Sequence, residues 1–229
     1  MHALVSRVSA VTMSLVLVAG LSFVRPLYAQ DLLYVADQGT QDVTRYTLPS
    51  TTGTVFGSGA NPEIFGLTTG SAGQLYSVNN TGDLVRRFAA DGTLAAGFGT
   101  GGEVDIKTLT ANTAYGPVGV AFSAAAGGQL VVSAYNSLSL IRLNPDTGAW
   151  DTGFGTGGVL ATTSNPLGVA FNATGNYIYY TQDDNTVWRV GADGTGAIAL
   201  DLGASPPVQA WSLGMVTDTE LFIADYGAG

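Results

Sequence analysis

The chain has 229 residues, a formal net charge of −9 at pH 7, no cysteine, and a single histidine, His2. Beyond its first residues this excludes a Ser-His-Asp or Cys-His nucleophile system and a zinc site built from the usual His and Cys ligands. The acidic balance repels phosphate backbones and argues against a nucleic-acid partner, leaving carboxylate, hydroxyl and amide chemistry of the kind that suits hard cations such as Ca2+.

The N-terminal segment stands apart. MHALVSR gives a short basic start, VSAVTMSLVLVAGLSFV is an unbroken apolar run, and Leu27 and Ala29 have the small-residue spacing of a secretory cleavage site. Residues 1–29 are expected to be a secretory signal peptide. An uncleaved anchor is the alternative, because the run is near the minimum of about 17 residues for a spanning helix. The expected location is secreted, periplasmic or cell-surface. No second run of this kind follows, so no membrane span is expected in residues 30–229. Arg7 and Arg25 belong to this segment, whereas all 17 acidic residues lie beyond it.

From Leu32 onward short apolar runs recur with a period of roughly 50 residues. LLYVAD and VTRY (with Arg45) come first. IFGLTT around Gly66, QLYSVN and VRRF (Arg87) follow, then PVGVAF around Gly119, QLVVSA and LIRL (Arg142). PLGVAF around Gly168, YIYYTQ and VWRV (Arg189) make the next copy, and SLGMVT around Gly214 with ELFIAD the last. The runs of Arg87, Arg142 and Arg189 are succeeded by a turn signal, DGT at Asp91 and Asp193 or PDTG at Pro145. The runs are rich in Val, Ile, Leu, Tyr and Phe and bounded by Gly, Asn, Asp and Ser, as strands should be. Lysine occurs only at Lys107 and glutamate only at Glu63, Glu103 and Glu220, so helix formers are scarce.

Repeats of this length with about four strands each predict an all-β fold: a β-propeller of four-stranded antiparallel blades, with about five repeats, over residues 30–229. The first copy starts at a second strand and the last stops at one. An incomplete array, truncated from a six- or seven-bladed chain, is expected, with a five-bladed ring as the alternative.

GFGTGG occurs twice, at Gly97–Gly102 and Gly153–Gly158. It satisfies G-x-G-x-x-G, but a dinucleotide fingerprint must open a helix. EVDIKTL and VLATTS, which follow the two copies, both read as extended. No nucleotide is expected; the motif is expected to be a turn device between a third and an outermost strand, with Phe98 and Phe154 as buried pegs.

LLYVADQGTQDVTRY and NPLGVAFNATGNYIYYTQDDNTVWRV resemble NHL-type propeller repeats and the related gluconolactonase/regucalcin-like propellers, over essentially the whole chain from Asp31. DTGFGTGGVLATT is similar to the D-x-x-F-G-x-G-G-x-V signature of bacterial delta-60 tandem repeats, although Ala95 replaces the leading aspartate in the first copy. The gluconolactonase resemblance implies a metal ligand just before each repeat glycine. Here those positions are Phe65, Val118, Leu167 and Leu213, which cannot coordinate calcium. Streptogramin-lyase-like propellers rely on a histidine that the chain beyond residue 29 lacks.

No catalytic or cofactor residue is therefore assigned. The expectation is a binding or protein-interaction module for a protein or carbohydrate ligand; a gluconolactonase-like metal-dependent hydrolase with lost or displaced ligands is the alternative. In such blades the turns between second and third strands and the links between blades emerge at one end. That end would gather Asp37, Asp42, Asn79, Asp83 and Tyr135 from turns, and Glu63, Tyr115, Asn165 and Trp211 from links. Asp183 and Asp184 are the candidate cation pair, against the reading that such residues only satisfy turn backbone groups. The recurring arginines are expected to lie along blade faces and pair with acids of the same or next blade.

Overall fold

The computed structural model describes residues 32–37, 40–58, 64–203, 206–215 and 217–226. The expected signal segment, and Glu63 among the face residues, lie outside the described residues. Among the described residues no helix is long and apolar enough to cross a membrane.

The strands form five antiparallel sheets in chain order. The first has three strands, β1 (Leu32–Asp37), β2 (Asp42–Thr47) and β3 (Gly53–Ser58). Three four-stranded blades follow. They are β4 (Ile64–Thr69), β5 (Leu75–Asn79), β6 (Leu84–Phe88) and β7 (Glu103–Asp105); β8 (Pro117–Ser123), β9 (Gln129–Ala134), β10 (Ser139–Leu143) and β11 (Val159–Ala161); and β12 (Pro166–Phe171), β13 (Tyr177–Gln182), β14 (Val187–Gly191) and β15 (Ile198–Ala199). The last sheet is the pair β16 (Ala210–Met215) and β17 (Leu221–Asp225). The strand order within each sheet follows the sequence, as expected for propeller blades.

Burial of both faces explains why the middle strands read as unbroken apolar runs rather than alternating ones. Neighbouring residues of one strand point into different cores. Val132 and Ile141 pack with Tyr76, Val78 and Val85 of the preceding blade, while Val131 and Leu140 pack with Ile178, Tyr180 and Val190 of the next. A third core joins the first two blades through Val43, Phe56, Leu67, Leu75 and Phe88. Each fully buried Val, Leu, Ile or Phe contributes about 1.5–3 kcal/mol, so the stacking of blades supplies most of the cohesion.

The repeat glycines owe their identity to the next blade. A Cβ on Gly119 would lie 2.4 Å from the Leu167 carbonyl oxygen, and one on Gly66 would lie 2.8 Å from that of Val118. A hydroxyl reinforces this approach twice. The Gly119 N–H donates to Ser133 Oγ (2.8 Å), which itself donates to the Leu167 carbonyl (2.6 Å). Thr181 repeats the arrangement with the Gly168 N–H (2.9 Å) and the Trp211 carbonyl (3.4 Å).

GFGTGG lies where expected, between the third and outermost strands, with Phe98 and Phe154 fully buried. It also reaches across to the next blade. The Gly99 N–H donates to the Thr147 carbonyl (2.9 Å), and the Gly155 N–H to the Asp193 carbonyl (2.8 Å). The turn of each following blade thus sits on the motif of the preceding one. Both copies carry the same run of positive φ, 54°, 65° and 92° at Gly99, Gly101 and Gly102 against 58°, 64° and 91° at Gly155, Gly157 and Gly158. The first blade holds a shortened counterpart, Phe56-Gly57, on which the Gly92 turn rests so closely that a Cβ there would meet the Phe56 carbonyl.

One expectation is corrected. After the first GFGTGG copy only Glu103–Asp105 is extended; Ile106–Leu109 forms a one-turn helix, α1. Asp105 breaks the strand because its carboxylate caps the turn, accepting from the Thr108 N–H (3.0 Å) and the Thr108 hydroxyl (2.7 Å). The helix N-terminus is thereby satisfied by its own chain.

Two of the four recurring arginines pair with acids and reach the next blade, as anticipated, whereas Arg45 and Arg189 lie over aromatic rings of their own blades. Arg87 donates to the Asp146 carbonyl of the following blade (3.0 Å) and pairs with its carboxylate (3.3 Å). Arg142 pairs with Asp151 of its own blade (2.6 Å), bonds the Ala192 carbonyl of the next, and lies 5.3 Å over the Phe154 ring. Arg45 sits in the same way over Phe56, and Arg189 over Tyr177 at 4.6 Å.

Candidate functional site

Register fixes which residues share an end. Asp37 faces Asp42, Ile64 faces Asn79, Ala134 faces both Pro117 and Ser139, and Ala210 faces Asp225. First-strand starts, second-strand ends and blade links therefore converge on one end of the array.

At the centre of that end the innermost strands enclose a cleft of roughly 390 Å³. Phe65, Val118, Leu167 and Leu213, the residues before the repeat glycines, all line it, joined at the mouth by Trp211, Ser212, Asp225 and Tyr226. The walls are apolar where the resemblance to lactonase propellers implies metal ligands, so these residues do not fit a bound divalent cation. Among the described residues no group of three or more His, Cys, Asp or Glu side chains is placed to hold a metal ion.

Around the cleft the polar residues form local networks. Tyr135, Asn165 and Asp183 are brought together: the Asp183 carboxylate accepts from the Tyr135 hydroxyl (3.3 Å), the Asn165 side-chain amide (2.7 Å), the Asn165 N–H (3.2 Å) and the Ser164 hydroxyl. Partial burial works to raise the Asp183 carboxyl, but these bonds outweigh it and hold the group below the usual carboxylate range. Asp184 faces its own turn instead, accepting from the Thr186 N–H (3.1 Å) and hydroxyl (2.6 Å). The two neighbouring carboxylates thus serve different partners.

Asp83, at φ 54°, accepts from the Gly116 N–H (2.6 Å) and lies 4.0 Å from Lys107, whose ammonium sits 5.6 Å over the Tyr115 ring. Asn79 is buried and caps its own turn through the Gly82 N–H (2.6 Å). Asp37 and Asp42 end β1 and begin β2, away from the Asp183 network. Trp211 lies within β16 rather than in a link, 6.1 Å from the Tyr226 ring. Asp225 and Tyr226 were not anticipated at the cleft. The signal was present, because ELFIADYG places Asp225 at the repeat position of Asp37 in LLYVADQG.

No protein-family description matches this sequence, and no curated protein does. Sheet order, stacking and central cleft together define an all-β propeller, and solved structures agree. The chain is similar to a catalytically inactive histidine-to-alanine variant of virginiamycin B lyase from Staphylococcus aureus with quinupristin (TM-score 0.63, 13% identity, 89% of this chain and 62% of that one). It is also similar to a streptogramin B lyase (0.64, 16%, 89% and 61%) and to a chain of a nidogen/laminin complex (0.56, 19%, 73% and 57%). At these identities the likeness is one of fold, and the chain spans about 60% of the length of the propellers it matches.

Proposed function

We propose that this chain is an exported propeller domain acting as a binding or protein-interaction module for a protein or carbohydrate ligand, without a catalytic site of its own. The observation that carries this reading is the apolar ring of Phe65, Val118, Leu167 and Leu213 at the positions nearest the centre of the fold. The likeness to a propeller from a nidogen/laminin complex supports it. A second reading, a metal-dependent hydrolase or lyase with its ligands elsewhere in the molecule, is favoured by the likeness to streptogramin B lyases. That lyase was inactivated by removal of a histidine, and the histidine of this chain is His2, within the expected signal peptide.

Calcium titration with melting temperature as the readout, alongside hydrolysis assays on lactones and streptogramin-type cyclic peptides, separates the two. No shift and no turnover are expected. A large metal-dependent rise in melting temperature accompanied by turnover would sink the binding-module reading.

A further inference from the structure

We infer that the mouth of the central cleft docks a basic peptide segment bearing an aliphatic or aromatic side chain, the apolar group entering the cleft and the cations lying over its acidic surroundings. This deepens the binding-module reading and rests on it.

The cleft itself sets the first requirement. Its roughly 390 Å³ lies toward the small end of ligand pockets. With Phe65, Val118, Leu167 and Leu213 as walls, it suits one or two apolar side chains better than a polar ligand. Exposure at the mouth sets the second. Trp211 is 36% exposed, Tyr226 72% and Val208 64%, a concentration of large apolar groups in water at one place. Buried aromatic anchors beside an apolar pocket are the usual core of a protein interface.

Charge sets the third. Toward the opposite end of the blades arginines offset part of the acidic charge, with Arg86 paired to Glu103, Arg87 to Asp146 and Arg142 to Asp151, while Asp91, Asp193 and Asp218 accept from neutral donors of nearby turns. Asp225 lines the mouth, and Asp37, Asp42, Asp83 and Asp183 belong to the turns and strand ends at the same end of the array. Among the described residues the basic side chain at this end is Lys107, already engaged by Asp83 and Tyr115. Such a face draws cations and repels acidic peptides, phosphates and a second copy of itself.

The probes are three blocked peptides, Lys-Gly-Leu-Gly-Lys, Glu-Gly-Leu-Gly-Glu and Lys-Gly-Gly-Gly-Lys, titrated into the full chain by calorimetry at low and high salt. The lysine–leucine peptide is expected to bind about tenfold or more tighter than either analogue, with its advantage over the glutamate peptide shrinking at high salt. Trp211→Ala should weaken it by about tenfold at an unchanged melting temperature. Should that variant not fold, the unaltered chain gives the same answer by NMR: the Trp211 indole resonance shifts on binding, while those of Trp150 and Trp188 stay in place. Equal affinity for the lysine and glutamate peptides, indifference to the leucine, or absence of binding would overturn the inference. Salt-independent binding of a neutral oligosaccharide at Trp211 would overturn the partner class and leave the binding module standing. Dimerisation that blocks the peptide would assign the mouth to a second copy instead. Lactone turnover would remove the module reading itself.

Discussion

Gly119 and Gly97 respond differently to a methyl group. At Gly119 the obstacle is the Leu167 carbonyl of the next blade, which would sit 2.4 Å from a new Cβ, so relief requires moving a whole inner strand. Gly119→Ala is expected to cost about 1–3 kcal/mol in urea unfolding. Gly97→Ala is the control: no atom lies within 4 Å of its Cβ position and its φ is ordinary, so its effect should stay within about 0.5 kcal/mol. Phe154 is the reverse case, a large side chain with no exposed surface, and Phe154→Ala should cost about 3–5 kcal/mol by the same measurement. Tyr180 links a residue to pH. Burial pushes its phenol up to about 12, against 10 for an ordinary tyrosine. Because the folded value is raised, its stabilising contribution is complete below pH 10 and is lost as pH rises toward 12. Melting temperature should therefore fall across that window, and less steeply in Tyr180→Phe.

At the scale of elements, the connection between third and outermost strands determines how blades join. Arg142 ties it together, gripping Asp151 within the blade and the Ala192 carbonyl beyond it. Arg142→Met keeps much of the stem packing on Phe154 but removes those charge-assisted bonds, with an expected loss of about 1.5–3 kcal/mol. Partial burial works to raise the Asp151 carboxyl, yet the bonds from Arg142 and the Gly153 N–H hold it below its ordinary 3.8. Its folded value is depressed, so the contribution is present above pH 3.8 and disappears as pH falls through the folded value. The acid limb of a stability–pH profile should be shallower in the variant. Strands, turn signals and the position of GFGTGG were legible in the sequence, because apolar runs and glycine punctuation are local properties. The grip of Gly99 on Thr147 and of Gly155 on Asp193 was not, since each joins groups from different repeats. Nor was α1, where one capping carboxylate at Asp105 overrode the extended preference of Ile106. The Phe56-Gly57 counterpart was not legible either, because it keeps only part of the longer motif and lies within β3.

For the molecule as a whole, stability is a sum over neighbours, as in other repeat folds. The middle blades are covered on both sides; every residue of β9 is buried. In the sheets at either end of the described array Val55 and Phe222 are 62% and 59% exposed. Hydrogen exchange should accordingly be slowest in β5, β9 and β13 and fastest in β1–β3 and β16–β17; uniform protection would contradict a neighbour-by-neighbour account. The central cleft was legible only in part: the apolar quartet could be read from the glycine repeat, whereas the aromatic mouth depended on where the final sheet came to rest. The glycine motif has a consequence for how such a chain grows. Because the donor amide belongs to one repeat and the acceptor carbonyl to the next, the third blade carries half of each of two identical joints. A tandem copy of the third blade would meet its neighbours through joints already in use, so lengthening by duplication requires no new interface to be invented.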